Sequence, residues 1–325
     1  MLVIYTLILV AGFFALIKGA DLFVNGSSAL AKNFNVPSLV VGLTIVALGT
    51  SAPELAVSTS AAIQGANEIA LSNVVGSNIF NLLGVLGICA IISPLPLDKG
   101  VLKRDFPFSI ITTGFLLFII CISIFGNGQP ISYNMERSIG TVTRTTGLLL
   151  VFLFVGYICY LIYTAKKHSE DDTDEQKQPI WKCVLLIVLG LALIIAGGQA
   201  VVYGAKEMAR AFGMTETLIG LTVVAIGTSL PELVTSIVAA RKGETELAIG
   251  NVIGSNIFNL LFILGVSAVI HPIDVNVASV FDLAILSSIS ILAFLFSHSA
   301  RRIARTEGFI MLGIYVADVV FAILR

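Results

Sequence analysis

Charge is the scarcest property of this chain. Of its 325 residues only 12% are Asp, Glu, Lys or Arg, where a soluble domain carries about 25%. Too few polar residues exist to wrap a soluble core, so a soluble enzyme and a disordered chain are both excluded. The net charge is −1, which leaves no basic field for nucleic acid. Cysteine is limited to Cys89, Cys121, Cys159 and Cys183, with no CxxC pair. All four lie in or beside apolar runs and read as small core residues, not a disulfide framework. His168, His271 and His298 are well separated, in or near loops, and suggest no metal centre. No Walker-type loop and no nucleophile elbow occur, so neither ATP drive nor hydrolytic chemistry is supported. Residues 1–17 are apolar, and the first basic residue is Lys18. Without a basic n-region no cleavable signal peptide is expected, and the first apolar span should stay in the protein.

What the chain has instead is apolar length. Hydrophobic residues make up 57%, and mean hydropathy is +0.99. Barrel strands would alternate over ~10 residues; here the runs are continuous and match the ~20 residues that cross a bilayer as helix. Ten spans are expected, at about 3–31, 38–63, 69–93, 105–125, 145–165, 182–210, 216–240, 246–270, 277–297 and 307–324. The fold class is therefore all-α polytopic membrane protein. With both termini outside, the inside segments carry thirteen Lys and Arg and the outside segments five, the orientation that the positive-inside rule favours. In that orientation both termini are periplasmic, in a multi-pass protein of the inner membrane.

The chain also repeats itself. GLTIVALGTSAPE at 42–54 matches GLTVVAIGTSLPE at 220–232 in ten of thirteen positions. NVVGSNIFNLL at 73–83 matches NVIGSNIFNLL at 251–261 in ten of eleven, and the offset is 178 both times. Residues 1–165 form one five-span repeat, 166–181 a cytoplasmic linker, and 182–325 the second repeat. Five is odd, so the second copy enters the membrane from the opposite side. Such inverted repeats characterise secondary transporters, with ion sites near the midplane where the repeats meet.

The repeated segments hold the residues that a membrane tolerates least. Glu54 and Glu232 fall mid-span, where an acidic side chain costs on the order of 2.5–3.5 kcal/mol. No Lys or Arg lies within ten residues of Glu54, and the nearest to Glu232, Arg241, is at the membrane edge. Brought together by inversion, the two carboxylates repel unless a cation sits between them or one is protonated. A mobile cation is the simpler counter-charge; a buried protonated pair is the alternative.

Thr50 and Thr228 each precede their Glu by four residues and share its helix face, flanked by Ser51 and Ser229. Pro53 and Pro231 disturb the carbonyls a turn earlier, at about Ala47–Thr50 and Ala225–Thr228. Ser77 with Asn81, and Ser255 with Asn259, supply a second wall. Asn81 and Asn259 are either ligands or interhelical bonding groups. Asn78 and Asn256 are expected to point elsewhere, as interhelical or capping groups. The set is all oxygen, which suits hard cations such as Ca²⁺ and Na⁺.

GTSAPE with GSNIFN, and GTSLPE with GSNIFN, resemble the two alpha repeats of the sodium/calcium exchanger family, within the cation/calcium exchanger superfamily. The resemblance covers the whole chain, and the short linker resembles the compact prokaryotic calcium/sodium antiporters. It implies a Na⁺/Ca²⁺ antiporter working by alternating access, not an enzyme, functional as a monomer, with Ca²⁺ and Na⁺ as cargo and no cofactor. It implies central carboxylates at Glu54 and Glu232, carbonyl ligands at Thr50 and Thr228, and backbone sodium ligands at Ala47 and Ala225. Ser51, Ser77, Ser229 and Ser255 match hydroxyl ligands of the sodium sites, and Asn81 and Asn259 the central polar pair. Some members carry Asp in that pair; two Asn here weaken the alternative, a proton-coupled or potassium-dependent exchanger. The long spans one and six resemble helices that slide to gate access.

Elsewhere, Lys18 and Asp21 are expected to pair on one helix face. Asp105, Asp282, Glu307 and Asp318 lie near span ends as solvated anchors. The acidic run from Glu170 to Glu175 reads as a solvated linker, because the glycine and terminal Glu of an EF-hand are missing.

Overall fold

The computed structural model of the chain describes residues 2–65, 67–126, 135, 137–167, 177–214 and 225–324. The apolar runs fold as helices because a bilayer leaves main-chain groups no partner but each other. In chain order they are α1 (Leu2–Asn33), α2 (Ser38–Thr50), α3 (Ala52–Ile63), α4 (Ile69–Ile92), α5 (Val101–Ile122) and α6 (Arg144–Ala165). Then come α7 (Ile180–Ala211), the short α8 (Ala225–Thr228), α9 (Leu230–Arg241), α10 (Thr245–Ile270), α11 (Val277–His298) and α12 (Arg305–Leu324). Among the described residues eight are long and apolar enough to cross a membrane, and α2 with α3, bent by 49°, makes nine when the pair is counted as one span. The start of the expected seventh span, 216–224, and the acidic run from Glu170 to Glu175 lie outside the described residues.

Element boundaries repeat the sequence offset. Leu2–Asn33 and Ile180–Ala211 are 178 apart at both ends, as are Ala52–Ile63 and Leu230–Arg241. So are the π turns Phe80–Val85 and Phe258–Ile263 inside α4 and α10. Helices α4 and α10 form the inner pair. In each, 78% of an 18-residue apolar stretch is buried, against 11–39% in the other long helices. The outer helices turn Leu7, Phe14, Phe118, Phe152 and Val188 outward, a surface suited to lipid and not to water. Two short antiparallel ribbons tie the halves together: Leu95–Pro96 with Arg302–Ile303, and Ser138–Val142 with Ile273–Asn276.

Helices α1 and α7 pack backbone to backbone along their length. A Cβ placed on Gly190 would stand 2.6 Å from Phe23 N and 2.7 Å from Gly19 O. Gly12 and Gly197 make an equally close approach. Lipid offers apolar side chains no reason to hide, so close contact of small residues is what holds such a pair.

Two expectations about charge are corrected. Asp21 pairs with Lys242, not with Lys18, and Lys242 Nζ also bonds Asp21 O at 3.2 Å and Asn25 Oδ1 at 2.7 Å. The packing of α1 on α9 brings that lysine to the helix face where Asp21 lies. Asp105 is fully buried, not a solvated anchor. A π turn over Val101–Asp105 sets it inward, where it accepts from Arg104 at 2.7 and 3.0 Å and from the Tyr157 hydroxyl at 3.2 Å. Of the cysteines, Cys89 and Cys183 are buried, while Cys159 is exposed.

Gly190→Ala should destabilise the purified protein by about 1–3 kcal/mol through overpacking. Gly114→Ala, where no atom lies within 4 Å of the added methyl, should be neutral or slightly stabilising. Thermal melts of both variants in detergent test this, and equal melting temperatures would contradict the α1–α7 contact.

Candidate functional site

The site forms where two helices break. Ser51 (φ −83°, ψ 11°) separates α2 from α3, and Ser229 (φ −93°, ψ 8°) separates α8 from α9. Pro53 and Pro231 sit in the first turns of α3 and α9. There they deprive the carbonyl four residues earlier of its donor. The breaks put Glu54 and Glu232 in the first turns of α3 and α9, both fully buried. Helix N-termini favour negative charge, so the break that exposes main chain also helps to hold the carboxylate.

Each carboxylate is gripped from the other half of the chain. Ser51 Oγ donates to Glu232 Oε1 at 2.7 Å, and Ser229 Oγ lies 2.9 Å from Glu54 Oε1. Ser77 Oγ lies 3.5 Å from Glu54 Oε1 and 3.1 Å from Ser229 Oγ. No Lys or Arg side chain pairs with either Glu among the described residues. Glu54 Oε2, Glu232 Oε2, Asn81 Oδ1, Asn259 Oδ1 and Ser255 Oγ are buried with no hydrogen-bond partner among the described residues. Leaving such a group unpaired costs about 1–3 kcal/mol, more when it is charged. Four of the five atoms are acceptors only, and Ser255 Oγ can accept as well as donate, a set of oxygens of the kind that hard cations take as ligands.

The remaining expected residues take varied positions. Thr50 is buried, and its hydroxyl donates across to Asn251 Oδ1 at 2.9 Å. The carbonyl of Ala47 accepts from Ser51 N at 3.1 Å and lies 3.4 Å from Thr50 Oγ1, so it is engaged inside the helix. Ala225 opens α8, and Thr228 closes it, half-buried. Asn78 and Asn256 are interhelical groups, one of the two roles expected of them: they bond across the α4–α10 crossing and, beyond that expectation, join Asn81 and Asn259 in one network. The two helices cross closely enough there for side-chain amides to reach the partner's main chain, which residue spacing alone does not reveal.

Behind the carboxylates stands a supporting layer that the reading of single residues does not single out. Asn73 Nδ2 donates to Ser58 Oγ at 3.0 Å and to the Glu54 carbonyl at 3.3 Å. Asn251 Nδ2 does the same for Ser236 Oγ at 2.9 Å and the Glu232 carbonyl at 3.4 Å. Both Asn residues lie within the repeated segments, and Ser58 and Ser236 share the offset of 178. The repeat was therefore the signal that pointed to them.

The fold and the site define a membrane transporter for hard cations. The family of sodium/calcium exchanger proteins matches residues 4–163 and 182–324. The sodium/calcium exchanger MaX1 of Methanosarcina acetivorans is 33% identical, over 98% of this chain and 99% of its own. The inner membrane protein YrbG of Escherichia coli is 34% identical, over 83% of this chain and 81% of its own. The solved structure of the sodium-calcium exchanger NCX_Mj soaked with 2.5 mM Na⁺ and 10 mM Sr²⁺ superposes with a TM-score of 0.82 at 30% identity, covering 98% of this chain and 99% of that one. The chain belongs to the sodium/calcium exchanger family. It is a cation/Ca²⁺ antiporter and not an enzyme; the family exchanges Ca²⁺ and Na⁺ and uses no cofactor.

Ser51→Ala should lower stability in ion-free buffer by about 1.5–3 kcal/mol, the range for a hydrogen bond to a charged group. A detergent melt tests this, and an unchanged melting temperature would mean that the bond between halves contributes nothing.

Proposed function

We propose that the chain exports Ca²⁺ in exchange for inward Na⁺, both ions competing for one midplane site centred on Glu54 and Glu232. The observation that carries this reading is the pair of buried carboxylates that, among the described residues, have no basic partner and each keep one buried oxygen without a hydrogen bond. Ca²⁺ takes six to eight oxygens, and two carboxylates balance one Ca²⁺ or two Na⁺. Around them stand the hydroxyls of Ser51, Ser77, Ser229 and Ser255, the carbonyls of Thr50 and Thr228, and the amide oxygens of Asn81 and Asn259. The Ala47 and Ala225 carbonyls are the backbone sodium ligands of this reading, and the Ala47 carbonyl would have to leave its helix bond to serve.

The scaffold that fits is ten spans in two inverted five-helix repeats, 1–165 and 182–325, joined by a cytoplasmic linker at 166–181. The repeated element boundaries support it. The protein would work as a monomer in the inner membrane, termini outside. The name of the YrbG relative agrees with that membrane. An empty site is doubly charged and resists enclosure in a low dielectric, whereas either ion set neutralises it. Access then alternates only when the site is loaded, which is what obligatory exchange requires. If more than two Na⁺ move per Ca²⁺, each net charge contributes about 2.3 kcal/mol per 100 mV.

Purified protein in Na⁺-loaded liposomes, diluted into sodium-free buffer, should take up labelled Ca²⁺. Glu54→Gln or Glu232→Gln should each reduce uptake to background while the protein remains folded. Uptake driven by a pH gradient alone, with no need for internal Na⁺, would replace this reading with proton/calcium exchange. Normal transport by both Gln variants would refute the carboxylate site.

A further inference from the structure

We infer that Asn78 and Asn256 are positioning residues, which lock the amides of Asn81 and Asn259 so that only their oxygens face the ion site. The inference rests on the ion site proposed above. A side-chain amide has a donor end and an acceptor end of nearly equal shape, so its partners must decide which way it points. Here the partners leave one solution. Asn78 Nδ2 lies 3.1 Å from the main-chain oxygen of Asn256, and Asn256 Nδ2 lies 3.4 Å from that of Asn78. A main-chain carbonyl only accepts, so the end of each amide that faces it must be the NH₂ group. The Oδ1 atoms of Asn78 and Asn256 are thereby fixed as acceptors on their far sides.

Those acceptors fix the next pair. Asn256 Oδ1 lies 3.1 Å from Asn81 Nδ2, and Asn78 Oδ1 lies 3.0 Å from Asn259 Nδ2. The oxygens of Asn81 and Asn259 are what remains, buried and without a partner among the described residues. Polarity thus passes in two relays, from the Asn256 carbonyl through Asn78 to Asn259, and from the Asn78 carbonyl through Asn256 to Asn81. Both relays cross between α4 and α10, so each ligand amide is oriented by the opposite half of the chain. A flipped amide would aim N–H at a cation and repel it. None of the four side chains ionises, so pH does not disturb the arrangement.

The pairing is specific, and a double-mutant cycle reads it. Equilibrium binding of labelled Ca²⁺ to the purified full-length protein is the measurement. Asn78→Ala should weaken binding by about tenfold, the effect of losing one hydrogen bond that supports a charged group. In an Asn259→Ala background, where the amide to be oriented is gone, Asn78→Ala should add less than about twofold. Equal losses in both backgrounds would overturn the relay. So would an Asn78→Ala protein that binds normally while Asn259→Ala does not. If Asn259→Ala and Asn81→Ala both bind Ca²⁺ normally, the ligand assignment itself fails, and the inference with it. Asn256→Ala against Asn81→Ala is the mirror cycle and decides the question where Asn78→Ala does not fold.

Discussion

Two carboxylates are buried inside an apolar bundle with no fixed positive charge beside them among the described residues. That constraint organises the rest of the structure. A salt bridge would neutralise Glu54 and Glu232 permanently, and a permanently neutral site has no use for a cation. Instead the chain supplies neutral dipoles: Ser51 and Ser229 on the carboxylates, and Asn73 and Asn251 on the main chain behind them. Dipoles hold the geometry without cancelling the charge, which is what the proposed cation site requires. The broken helices follow from the same need, since a continuous helix would leave no main-chain donors at its centre to face a carboxylate.

The two carboxylates are also not separable. Each takes its hydroxyl partner from the other half, and Thr50 reaches Asn251 across the same boundary. Any displacement of one half against the other therefore disturbs both carboxylates together. In the proposed cycle this ties occupancy to movement. Helices α1 and α7 are held to each other by close glycine contacts along their length.

Much of this was legible from residues alone, for physical reasons. The spans were readable because bilayer thickness dictates helix length. Glu54 and Glu232 stood out because nothing structural repays an acid in that position. The offset of 178 set two dissimilar halves side by side, so each residue on one wall announced its partner. What stayed hidden depends on how closely helices cross and how a turn is wound. Asp105 reads as a surface anchor until the π turn at Val101–Asp105 carries it inward. That Asn78 and Asn256 also hold Asn81 and Asn259 stayed hidden, because spacing gives a helix face but not the distance to the next helix. Lys242, remote in sequence from Asp21, gave no local hint of their pairing.

In the proposed cycle Na⁺ and Ca²⁺ occupy one shared set of oxygens around Glu54 and Glu232. The most direct measurement is equilibrium Ca²⁺ binding to the purified protein across a series of Na⁺ concentrations, with K⁺ or choline holding ionic strength constant. The account predicts strict competition. Added Na⁺ should weaken apparent Ca²⁺ affinity without limit and more steeply than first power, leaving binding capacity unchanged. Ca²⁺ affinity that is indifferent to Na⁺, or that levels off at a plateau, would show separate sites and contradict the account.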